Sequence, residues 1–149
     1  MPDPDVFRVA PSLALHPEVV VAASVPGDVE AVGHLVGPAG DVPASLGLDR
    51  ATLEAHGFGG VVGDSLVVPA AGGPTRIVVG VGDGAGSDLR VVGGTFARAA
   101  GRLATLALEV DGVLGDAPAL AAEALVEGVL LARYTYPVLK AEAPGVPVA

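Results

Sequence analysis

The chain has 149 residues, 17 Asp and Glu against 8 Lys and Arg for a formal net charge of −9, 51% hydrophobic and 3% aromatic residues, and no cysteine. That length supports one hydrophobic core without staples, and the absence of cysteine excludes a disulfide scaffold and thiolate metal sites. The acidic mean field repels phosphate backbones, so nucleic acid is disfavoured as a partner. Gly 22 and Pro 13 punctuate the chain densely, but the aliphatic residues between them are too plentiful for a disordered polymer. The start, Met-Pro-Asp-Pro-Asp, lacks the basic and apolar regions of a secretory signal, and no 18-residue run is free of charge and turn residues. A cytoplasmic protein with no membrane partner is expected.

In chain order, residues 18–24 (EVVVAAS) form an apolar, β-branched run stopped by Pro26-Gly27 and predict the first strand. Residues 28–47 carry Gly and Pro at short intervals and show no clean period; a turn or two of helix fits 29–36. Asp49 is placed to cap a short helix through about His56, with Gly57 suited to its end. Residues 65–69 (SLVVP) and 76–81 (RIVVGV) predict two strands, and the Ala-Ala-Gly-Gly-Pro segment before Thr75 permits a hairpin or a bend between neighbours. From Ser87 or Asp88 a helix is expected, with Leu89, Val92, Phe96, Ala99, Leu103 and Leu106 drawing one apolar stripe. Arg90, Arg98 and Arg102 fall on its opposite, solvated side. A strand within 106–110 turns at Asp111-Gly112, and a last helix capped by Asp116, with Pro118 near its start, runs through 119–132. Alternation of strand and helix implies an α/β fold, a mixed, mostly parallel sheet flanked by helices in three layers. Residues 141–149 (AEAPGVPVA) have linker composition, so a domain over 1–140 and the start of a linker over 141–149 are expected.

The residues offer little chemistry. Gly80, Gly82 and Gly84 lie between a strand and a helix, where backbone amides and a helix dipole can meet a pyrophosphate. Asp83 and Asp88 oppose an anion there and no lysine is present, which favours a structural turn and leaves nucleotide binding as the alternative. His16, His34 and His56 lack the spacing of a zinc site. Glu123 and Glu127, one helical turn apart, read as a solvated stripe rather than an acid/base pair. No serine sits in a nucleophile elbow. No catalytic or metal-binding residue is assigned.

Two blocks carry a resemblance. Arg76-Ile-Val-Val-Gly80-Val-Gly82, then Asp88-Leu89-Arg90 and Gly93-Gly94, is similar to the strand, glycine turn and helix start of the leucyl aminopeptidase (cytosol aminopeptidase) family. The stretch from Ala122 through Glu127-Gly128 and Leu130-Leu131 to Arg133-Tyr134, ending at Lys140, resembles the end of that family's N-terminal domain. Asp83, where many relatives carry lysine, and Pro137 depart from the pattern. The likeness spans about residues 75–140 and implies a macrodomain-like N-terminal domain that helps to assemble a homo-hexamer. It also implies that two divalent ions, zinc or manganese, and the residues that cleave N-terminal amino acids from peptides belong to a C-terminal catalytic domain, whose "NTDAEGR"-like segment this chain does not contain. The piece is then inactive alone. The alternative is a stand-alone macrodomain-like module binding ADP-ribose or another nucleotide at Gly80, Gly82 and Gly84.

Overall fold

The structure, a computed structural model, describes residues 17–83 and 88–134. Its regular elements follow in the order β1 (Ala31–Val36), a 3-10 turn (Ala44–Leu46), α1 (Arg50–Ala55), β2 (Ser65–Val68), β3 (Thr75–Gly80), α2 (Leu89–Ala99), β4 (Leu106–Glu109) and α3 (Pro118–Arg133). All belong to one compact unit, Ala22–Tyr134.

The four strands form a sheet of order β2-β3-β1-β4, in which β1 runs parallel to β3 and to β4 while β2 closes an antiparallel hairpin on β3. All six residues of β1 are buried, as expected of a central strand covered on both faces. Alternate side chains leave the sheet on opposite sides. Ala31, Leu35, Ile77 and Val79 join Leu89, Val92 and Phe96 of α2 and Leu125 of α3. On the other side Val36 and Val78 join Leu46, Leu53 and Phe58 around α1. Helices on both faces of a mostly parallel sheet make the three-layer α/β arrangement that the sequence predicts.

Several boundaries agree with the sequence. The Asp49 side chain accepts from the Thr52 amide at 2.8 Å, and Gly57 follows α1 with φ 79. The segment between β2 and β3 resolves the open choice in favour of a hairpin. In α2, Leu89, Val92 and Phe96 are buried while Arg90 and Arg98 are exposed, as is Arg102 beyond the helix end.

Four expectations are corrected. Residues 18–24 form no strand, and Val19, Val20 and Val21 are 55%, 70% and 95% exposed. A β-branched run states what a strand tolerates, but a strand also needs a pairing partner, and the sheet is built from β2, β3, β1 and β4 without this segment. The helical turn fitted to 29–36 is instead that central strand: Gly33 breaks its apolar pattern because Phe96 packs over it, where an added Cβ would lie 2.7 Å from the ring. The apolar stripe of α2 stops at Ala99, so Leu103 lies beyond the helix and Leu106 in β4. α3 begins at Pro118, with Ala117 rather than Asp116 at its cap position.

Candidate functional site

The carboxyl ends of β1 and β3 are where a sheet of this kind usually receives ligands, because the chain leaves them toward opposite faces. Among the described residues, backbone comes close to backbone there. A Cβ on Gly80 would lie 2.0 Å from the Val61 carbonyl oxygen, and one on Gly60 would lie 2.5 Å from that of Gly37. The amides of the glycine turn are also engaged: Gly80 donates to the Asp64 carbonyl at 2.9 Å, Val81 to Val36 at 3.2 Å and Gly82 to Gly60 at 2.9 Å. These three donors bind the 60–64 loop and β1. Gly84 lies outside the described residues. Arg50 fastens the neighbouring loop, donating to the carbonyls of Gly37, Pro38 and Gly40 at 3.0–3.3 Å.

A polar cluster that sequence reasoning missed lies on the α1 side of the sheet. His34, 2% exposed in the middle of β1, sets Nδ1 3.0 Å from Oε2 of Glu109 on β4. Parallel register places the two residues directly opposite. Ser45, on the 3-10 turn, donates to the same Oε2 at 2.7 Å and lies 3.4 Å from Nδ1. Arg76, on β3, donates to the Leu46 carbonyl at 2.6 Å and anchors the other end of that turn. Burial lowers the His34 pKa, as does Arg76, while the Glu109 charge and hydrogen bond oppose the shift. The imidazole is therefore held neutral, donating Nδ1–H to the carboxylate. Serine and imidazole meet at one carboxylate oxygen instead of in series, so the geometry is that of a clasp and not of a nucleophilic relay. The three residues are 11 to 75 positions apart in sequence, and no local motif announces them.

The remaining candidates stay separate. His56 is exposed at the end of α1, and His16 lies outside the described residues. Glu123 and Glu127 are both exposed on α3, and Glu127 pairs with Arg90 across to α2 at 2.6 Å. With both partners about half exposed, that pair contributes little to stability.

The 16-residue α3 crosses α2 at very short distance. A Cβ on Gly93 would lie 2.1 Å from the Leu125 carbonyl oxygen, and one on Gly128 would lie 2.0 Å from that of Arg90. Both glycines stand in the two blocks that resemble the aminopeptidase family, and the comparison with known proteins agrees: the N-terminal domain of the cytosol aminopeptidase family matches residues 44–143. The chain belongs to this family. The match reaches further toward the amino terminus than the expected 75–140 and takes in the 3-10 turn, α1 and β2.

Among solved structures, the chain is similar to the bottromycin maturation enzyme BotP, at 25% identity and a TM-score of 0.61, over 81% of the chain and 26% of BotP. A structure of BotP in complex with Mn gives 27% identity and a TM-score of 0.58, over 77% of the chain and 25% of that protein. The chain thus spans about a quarter of the length of these enzymes. No curated protein matches it.

The described residues offer no donor set for a metal ion. Among the described residues no three His, Asp or Glu side chains converge, and the His34–Glu109 pair supplies only two. Among the described residues no helix is long and apolar enough to cross a membrane.

Proposed function

We propose that this chain is the non-catalytic N-terminal domain of a metal-dependent leucyl aminopeptidase, an assembly and regulatory unit for an enzyme that removes N-terminal amino acids from peptides. The match to the family's N-terminal domain over residues 44–143 carries this reading. Residues 1–140 are the domain and 141–149 open the linker to a catalytic domain. There two divalent ions would polarise the scissile carbonyl and activate water. The manganese in the BotP complex supports metal use among relatives. Assembly as a homo-hexamer belongs to the same reading. So does a cytoplasmic setting, supported by the cysteine-free composition.

Two measurements test it. The coding sequence beyond codon 149 should remain open into an "NTDAEGR"-like segment, and the resulting full-length protein should hydrolyse leucine amide with manganese or zinc and sediment as a hexamer. The 149-residue chain, assayed alike, should release no leucine. Turnover by the chain alone would overturn the assignment of chemistry to another domain, and a stop codon at that point would overturn the parent enzyme.

A further inference from the structure

α3 exposes large apolar residues opposite the side that it buries. Its inner side, Leu125 and Gly128 with the partly buried Ala121, Ala124 and Val129, packs against α2 and the sheet. Its outer side leaves Leu120, Leu130 and Leu131 68%, 39% and 61% exposed. Glu123, Val126, Glu127, Leu130, Leu131 and Tyr134 line an open groove of about 380 Å³. A helix that lies on a domain surface ordinarily turns a polar face outward, and one that is apolar all round is normally covered on every side. α2 follows the first pattern, with Arg90 and Arg98 outward; on α3, Glu123 and Glu127 share the outer side with Leu120, Leu130 and Leu131, which no described residue covers.

We propose that the outer face of α3 is the docking surface for the catalytic portion of the full-length aminopeptidase, an inference that rests on the function proposed above. Two observations select this occupant. The chain spans only 26% and 25% of the two solved enzymes that it matches, so relatives hold about three times as much polypeptide outside this domain. The groove holds Glu123, and Glu127 with Arg90 paired to it, on a chain of net charge −9, so a second copy laid across it would bring like net charges together, Glu123 foremost. The partner surface is accordingly an apolar patch edged by Lys or Arg.

Hydrogen exchange of α3, compared between the 149-residue chain and the full-length protein, tests the surface. Docking should slow exchange over residues 120–133 by about tenfold or more in the full-length protein. Leu131→Glu should remove this protection there while leaving the melting temperature of the 149-residue chain unchanged; Leu120→Glu serves the same purpose if the first variant fails to fold. Equal exchange in both proteins would overturn the proposal, whether the face is bare or covered by the chain's own ends. Protection that rises with concentration of the 149-residue chain would overturn it in favour of a second copy. Because exchange is read without turnover, a full-length protein that protects α3 yet leaves leucine amide intact would sink the peptidase reading and keep the docking surface.

Discussion

Gly128 on α3 and Arg90 on α2 meet backbone to backbone: a Cβ on the glycine would lie 2.0 Å from the arginine's carbonyl oxygen and 2.9 Å from the Gly94 nitrogen. No rotamer change relieves such a contact, because both obstacles are main chain. Gly128→Ala must therefore push the helices apart, and it is expected to destabilise the domain by about 3 kcal/mol, the upper end of overpacking costs. Helix propensity alone would give the opposite sign, a gain of about 1 kcal/mol. Urea denaturation decides between them. Gly27→Ala is the control, since nothing lies within 4 Å of its added Cβ, and it should leave the midpoint in place.

That contact shows where the sequence was informative and where it was silent. Gly128 is visible in the chain as part of a family-like block, yet its physical purpose depends on Arg90, 38 residues earlier, and on a helix crossing that no local pattern encodes. Elements whose cause is local were legible: the Asp49 cap, the Gly57 stop, the two hairpin strands and the Leu89–Val92–Phe96 stripe are each written within a few residues of themselves. Elements decided by partners were not. β1 hides its identity behind Gly33, which only makes sense once Phe96 sits over it, and residues 18–24 carry a strand's composition without a strand's neighbour. The clasp among His34, Ser45 and Glu109 is of the same kind, assembled by parallel pairing of β1 with β4.

Gly80 tests whether the glycine turn is structural. An added Cβ would strike the Val61 carbonyl oxygen at 2.0 Å, and three successive amides of the turn already have acceptors. Gly80→Ala should lower stability by about 2–3 kcal/mol, and calorimetry of the unaltered chain with millimolar ADP-ribose should give no binding heat. A saturable heat would show that the turn opens to ligand.

Glu30 joins the start of β1 to the segment before β4. Its carboxylate accepts from the amides of Ala104 at 2.6 Å and Thr105 at 3.0 Å and from the Thr105 hydroxyl at 3.3 Å, and the backbone hydrogen bonds lower its pKa. A carboxyl whose pKa is depressed on folding stabilises the native state above its unfolded value, near 4.3 for glutamate, and loses that contribution as pH falls through its folded value. Acid titration of stability should therefore be steeper below about pH 4.3 in the wild type than in Glu30→Gln. Identical acid limbs would show that these bonds carry no net charge preference.

His34 governs a separate window at higher pH. Its pKa is lowered first by burial, so between the ordinary imidazole value near 6.5 and its folded value the unfolded chain binds the extra proton and the native state does not. Stability should be full above about pH 6.5, decline as pH falls through that interval, and level off below it. His34→Gln keeps a neutral donor and should flatten this part of the profile. Glu109→Gln separates the causes: the carboxylate's charge and hydrogen bond both raise the His34 pKa, so replacing it should move the imidazole titration, followed by NMR of the ring protons, further down. Ser45→Ala removes the second donor on Oε2, which leaves that oxygen freer to accept from Nδ1–H, and it should shift the titration less than Glu109→Gln does. A rise in the His34 pKa on Glu109→Gln would contradict this account, because the carboxylate would then not be what raises it against burial.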